Sequence, residues 1–200
     1  WANTIVVDRK PQQSSLGRIL AHDFSGPAQM ALLDGGAIAA GVTLQRAVAL
    51  AGGMVFLVDR ADSAEEHTYE RVQMARQEIA RPPAEQTDME LAEGEHIRFR
   101  GTRIDGNWGM AWRVPKGPGL ELRMAGEAGT EVFWGDNQVN AYKPQMYAPT
   151  VVARRKAKAT VYLAVMEPFR DRAARLQGAE RVKVMAGDRE ATASEAVAVA

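Results

Sequence analysis

His67 and Tyr69 stand two residues apart, so an extended chain puts both side chains on one face. An imidazole beside a phenol can hydrogen-bond a sugar or take part in proton transfer. The same pair serves more often as a half-buried His and Tyr stabilising a sheet, with Glu66 or Glu70 nearby. Trp108, Met110 and Trp112 share a second strand face flanked by Arg113, and Trp134 follows Phe133. Such rings stack on sugar faces, making Trp108 and Trp112 candidates for a saccharide platform, although large aromatics are more commonly sandwich core. Arg154, Arg155, Lys156 and Lys158 form the densest basic run, and a guanidinium fork suits a carboxylate or a sulfate. Alternation sets Arg154, Lys156 and Lys158 on one face and Arg155 on the other. The plainer reading of that run is a solvated face, or an arginine paired with an acid on the next strand.

Other chemistries find no support. His22, His67 and His96 are far apart in sequence and lack a spacing such as His-x-x-x-His, and with no cysteine neither a disulfide framework nor a thiolate metal site is available. Glycine-rich phosphate loops and Gly-x-Ser-x-Gly elbows are absent. No cofactor is expected. The formal net charge is zero with acids and bases interspersed, so no basic stripe points to nucleic acid and no polybasic tail to a membrane. No apolar stretch approaches the roughly 20 residues needed to cross a bilayer as a helix. The chain opens on Trp1 directly before strand-like sequence, which reads as a piece of a longer protein.

The elements that must carry these residues are strands. Thr4-Ile5-Val6-Val7-Asp8 is a β-branched run, residues 42–50 alternate strictly, and residues 54–59, 120–124 and 160–165 follow the same logic. Glycines fall at short intervals between these runs, with Asp34-Gly35, Asp105-Gly106 and Ala186-Gly187-Asp188 as the best hairpin turns. Residues 76–86 and 136–149 read as long surface loops, and residues 168–177 read equally as a short helix or as a linker between strands. The expectation is an all-β fold: a single antiparallel β-sandwich domain over residues 1–200, two packed sheets with at most short helices.

The order of the motifs adds a family. Asn3-Thr4-Ile5-Val6-Val7-Asp8 with Gln12, the run containing Arg46, Val55-Phe56-Leu57-Val58-Asp59-Arg60, Glu66-His67-Thr68-Tyr69-Glu70, and Val151-Val152-Ala153-Arg154-Arg155 leading to Glu167-Pro168 follow one another along most of the chain. Together they resemble the C-terminal domain of the heparinase II/III-like polysaccharide lyases. That resemblance implies an upstream (α/α) toroid, a cleft between toroid and sandwich, and β-elimination on a uronic-acid-containing polysaccharide such as a glycosaminoglycan or alginate. It implies that most catalytic groups, typically an Asn or His, a Tyr and a His, lie upstream, so the fragment alone is expected to be inactive. Many members carry a His before the Asn-Thr, which in some helps bind a structural metal; here that position is Ala2, and no metal is expected there.

The expected function is therefore the β-sandwich domain of a bacterial lyase, periplasmic or secreted, that completes one wall of the cleft and stabilises the toroid. Its partners would be an acidic polysaccharide and the toroid of its own parent chain, with neither nucleic acid nor membrane. The alternative is a non-catalytic carbohydrate-binding or structural β-sandwich. A sandwich cut from a toroid should also expose an apolar face, expected around residues 3–8 and 67–69, with self-association through it as a consequence.

Overall fold

The computed structural model describes residues 3–93, 97–138, 147–170, 173–190 and 198–199. Among them no helix occurs, and strands follow one another as β1 (Ile5–Val7), β2 (Arg18–Asp23), β3 (Gln29–Asp34), β4 (Val42–Ala51), β5 (Met54–Met74), β6 (Glu78–Arg81), β7 (Met89–Glu93), β8 (Ile97–Arg103), β9 (Trp108–Arg113), β10 (Gly119–Met124), β11 (Glu131–Gln138) and β12 (Tyr147–Phe169). These form one antiparallel sheet of 12 strands, its main path running β2-β3-β4-β5-β12-β10-β9-β6. Four two-residue strands, β13 (Arg181–Val182), β14 (Met185–Ala186), β15 (Arg189–Glu190) and β16 (Ala198–Val199), make two small ribbons.

Two long strands organise everything else. The first half of β5 pairs with β4 and the second half with β1, while the first half of β12 pairs with β11 and the second half with β10. Between the halves, the β5–β12 register slips from His67↔Ala157 to Asp62↔Ala159. Such irregularities bend a strand and raise its twist. The bend is sharp enough to bring Asp59 and Arg71 of the same strand together, with Oδ2 and Nε 3.3 Å apart. A straight strand of that length would hold their Cα atoms about 40 Å apart. Tyr162 likewise donates its hydroxyl to the Tyr69 carbonyl at 2.9 Å. The sheet thus doubles back over one core, an arrangement compatible with two packed layers.

The alternation seen in the sequence explains which side chains fill that core. Val42 and Leu44 of β4, Leu57 and Tyr69 of β5, Trp108, Met110 and Trp112 of β9, Leu122 and Met124 of β10, Trp134 of β11, and Val151 and Tyr162 of β12 join one apolar cluster. Full burial of each large side chain contributes about 2–3 kcal/mol before entropy is set against it.

Several local expectations are corrected. Residues 76–86 hold a strand, because β6 adds to the free edge of β9. Residues 136–149 are not all loop, since β11 continues to Gln138 and β12 begins at Tyr147; Asn140 and Pro144 lie outside the described residues. No helix starts at Pro168: β12 runs on to Phe169, and the buried Glu167 carboxylate accepts the backbone N–H of Arg175 at 2.6 Å and of Leu176 at 2.7 Å. Asp105-Gly106 is a crossover, because β8 pairs with β7 and β11 while β9 pairs with β6 and β10. Asp34-Gly35 opens a longer connection in which Asp34 Oδ1 accepts the Gly36 N–H at 2.8 Å. Gly187-Asp188 does make a tight turn, between β14 and β15. The tightest hairpin in the main sheet is Gly52-Gly53, with φ of 58° and 78°, as a primed two-residue turn between β4 and β5 requires.

Candidate functional site

Two cavities flank the end of β1. The larger, about 640 Å³, lies where the turn after β1 meets β12 and the segment leading into β11. Five cationic side chains line it, Arg9, Arg103, Arg154, Arg155 and Lys156, against three anionic ones, Asp8, Glu127 and Glu131. The smaller, about 350 Å³, is floored by apolar side chains and reached by His67. Asp8 borders both.

The turn that carries Asp8 is strained. Lys10 N–H bonds back to the Val7 carbonyl at 3.0 Å, and Asp8 and Arg9 between them have φ of 50° and 56°. Positive φ is cheap for glycine and tolerable for aspartate, but in an arginine it costs about 1 kcal/mol or more. Bonds across the turn hold it in place. Asp8 N–H donates to the Thr68 carbonyl at 2.8 Å, Asp8 Oδ1 accepts the Thr68 N–H at 3.0 Å, and an Arg9 guanidinium nitrogen donates to the Ala92 carbonyl at 2.7 Å. Asp8 Oδ2 lies 2.7 Å from His67 Nδ1. The bond from His67, assisted by the Thr68 N–H and against the effect of burial, holds the Asp8 carboxyl below the usual carboxylate range.

The residues singled out in the sequence fall into distinct places. His67 and Tyr69 do share a face, with ring centroids 6.0 Å apart. His67 keeps partial exposure, whereas Tyr69 is buried and its hydroxyl donates to the Lys158 carbonyl at 3.3 Å. Burial pushes the Tyr69 phenol above its ordinary value. Trp108, Trp112 and Trp134 are core residues, and none turns an open ring face to solvent. Arg154 lines the larger cavity, yet its guanidinium is committed: Nε and Nη2 donate to Glu70 Oε1 at 2.8 and 2.5 Å, Nη1 lies 3.6 Å from Glu131, and the group sits 4.8 Å from the Phe133 ring centroid. Arg155 is almost wholly buried over the Tyr162 ring, donating to Thr130, Glu127, Thr160 and the Val161 carbonyl. Desolvation pulls its pKa down, while Tyr162 and Glu127 oppose that shift. Lys156, 2.9 Å from Glu66, and Arg103, 3.7 Å from Glu131, are exposed, as is Arg9.

Asp8, Arg9, Arg103, Glu127 and Glu131 escaped sequence reasoning as site residues. Asp8 closes a recognised strand run, but its bond to His67 spans 59 positions, which no local pattern encodes. Among the described residues no group of three or more His, Asp or Glu side chains could hold a metal ion. Ala2 and His96 lie outside the described residues. The apolar face expected around residues 3–8 and 67–69 is also relocated. Tyr69 is buried, Ile5 and Val7 are buried apart from what they present to the smaller cavity, and the exposed large apolar side chains include Leu16, Ile19, Leu20, Phe24, Met30 and Leu50, mostly on or beside β2 and β3.

This folded-over antiparallel sheet is a fold shared with polysaccharide lyases. It matches the heparan sulfate lyase HepC of Pedobacter heparinus with a TM-score of 0.67 over 93% of this chain, at 10% identity. Two heparinase III structures match with a TM-score of 0.65 and 13% identity, over 94% and 92% of this chain. In each case the chain spans about a quarter of the matched lyase, 26% of its length. No family model matches the chain, and no curated protein matches it in sequence.

Proposed function

We propose that this chain is the β domain of a polysaccharide lyase that cleaves a uronic-acid-containing polysaccharide by β-elimination, and that it forms one wall of the substrate cleft and braces an upstream toroid. The observation that carries this reading is the fold match over nearly the whole chain to one quarter of heparinase-type lyases. The larger cavity supports it chemically. Arg103 and Lys156, exposed on the wall of a recess partly shielded from water, can meet a carboxylated or sulfated sugar, whereas Arg154 and Arg155 are held by Glu70 and Glu127. Base, acid and carboxylate neutralisation must be held together for β-elimination. This domain would supply binding and support, with the remaining groups upstream and the parent periplasmic or secreted.

The rival reading, a non-catalytic carbohydrate-binding or structural module, draws no support from Trp108, Trp112 and Trp134, which are buried and offer no ring face for a sugar to stack on. The deciding experiment is an assay of the full-length parent for unsaturated uronate absorbance against a panel of acidic polysaccharides, beside the 200-residue chain alone. Activity in the parent and none in the isolated chain is expected. A parent inactive on every uronate polymer would refute the proposal.

A further inference from the structure

The smaller cavity is built for a different kind of contact from the cationic one. Ile5, Val7, Ile38 and Leu44 give it an apolar floor. Its rim is pinned: Gln12 Nε2 donates to Thr4 Oγ1 and to the Ile5 carbonyl, both at 2.9 Å, and Gln13 N–H donates to the Ile38 carbonyl at 2.9 Å. Into this recess reaches His67, and its orientation is fixed. An ionised carboxylate can only accept, so the 2.7 Å contact with Asp8 places the imidazole proton on Nδ1. In the neutral imidazole that leaves Nε2 as a bare acceptor, with no hydrogen-bond partner among the described residues. The Asp8–Arg9 turn holds an unfavourable backbone to deliver that carboxylate, and strain of this kind concentrates where geometry serves a function.

We infer that the Asp8–His67 pair and the apolar recess beneath it form a receptor for one sugar ring, whose C–H face lies on Ile5, Val7, Ile38 and Leu44 while a hydroxyl donates to His67 Nε2. A cavity of about 350 Å³ falls in the range of small-ligand sites, and the pairing of an apolar floor with a fixed acceptor matches the two-sided chemistry of a pyranose. This inference rests on the saccharide reading above, but it assigns the contact to an uncharged part of the ligand. Because Asp8 borders both cavities, one oligosaccharide can reach the cationic cleft and this recess together.

The test uses the 200-residue chain and two probes: a tetrasaccharide alternating glucuronate with N-acetylglucosamine, and its carboxyl-reduced, uncharged counterpart. Imidazole nitrogen NMR of the free protein should show His67 protonated on Nδ1 and bare on Nε2. Both probes should shift the Nε2 signal, and only the acidic probe should perturb the side-chain signals of Arg103 and Lys156. His67→Gln should weaken both probes about tenfold by calorimetry. Asp8→Asn, which can still accept one hydrogen bond, should loosen the tautomer preference and weaken both probes by a smaller factor. A silent Nε2 signal, or unchanged affinity in His67→Gln, would overturn the receptor. If the acidic probe then still bound through Arg103 and Lys156, the lyase reading would stand without it. If instead both probes bound alike through His67 while the cationic cleft stayed silent, the receptor would stand and the acidic-substrate reading would fall.

Discussion

Arg154→Ala removes one half of an ion pair whose other half, Glu70, is fully buried. The substitution separates two roles for Arg154, because a ligand-binding arginine lost from a cavity wall weakens binding and leaves the fold alone. In this structure Nε and Nη2 both reach Glu70 Oε1, and the guanidinium also covers the Phe133 ring. Truncation therefore removes both donors that reach Glu70 Oε1 in the sheet interior and strips a cation from an aromatic face. Breaking a buried pair from one side costs about 3–5 kcal/mol, most of it the penalty of the uncompensated charge. For a chain of this length each kcal/mol lowers Tm by about 2–4 °C, so a loss on the order of 10 °C is expected. The assay is urea unfolding followed by tryptophan fluorescence, with thermal melts as a second measure. The double variant Glu70→Gln/Arg154→Met should recover a large part of the loss, since both charges of the pair are then removed. If Arg154→Ala unfolds within about 0.5 kcal/mol of the parent chain, as surface substitutions do, the pair is not a structural element and Arg154 is free to serve a ligand.

Gly101→Ala should destabilise by about 1–3 kcal/mol or more through overpacking, because a Cβ there would lie 2.4 Å from the Phe133 ring and 2.7 Å from the Val132 carbonyl; a urea midpoint that does not fall would contradict the close strand packing. Lys116 has φ of 54° at the third position of a turn in which Gly117 N–H bonds to the Val114 carbonyl, so Lys116→Gly should relieve strain and raise stability by roughly 0.5–1 kcal/mol, read from the same midpoints. Asp8, Asp23 and Asp34 are each held below the ordinary aspartate value of 3.8, by bonds from His67, from Ser25, and from Gly36 with Arg18. A depressed carboxylate stabilises the fold above its unfolded value and loses that contribution as the pH falls through its folded value, so stability should drop below pH 3.8. Glu121, raised by burial, acts in the opposite direction as acid is added. Asp8→Asn should flatten the acid limb of a stability–pH profile, and an unchanged limb would count against the Asp8–His67 bond.

Strand-forming runs, alternating faces and frequent glycines are local properties, and they were enough to specify an antiparallel all-β chain. The same period of two put Trp108, Met110 and Trp112 on one face and His67 and Tyr69 on another, both of which the structure keeps. Alternation states which side chains travel together, but it does not state what they meet. Whether Trp112 stacks on a sugar or fills a core depends on β9 lying inside a folded-over sheet, between β10 and β6. Asp8 meets His67 only because β1 pairs with the far half of β5, and Arg154 meets Glu70 only because β12 lies beside that same half. The β5–β12 irregularity then bends both strands, closing Asp59 onto Arg71 and burying Arg155 against residues a few positions along its own strand. Each of these contacts joins segments that sequence leaves apart, through hydrogen-bond registers shared by many strands of similar composition. The sequence by itself therefore determined the element type and the faces, and the tertiary structure decided which charges are buried, which imidazole nitrogen stays free and where the cavities open.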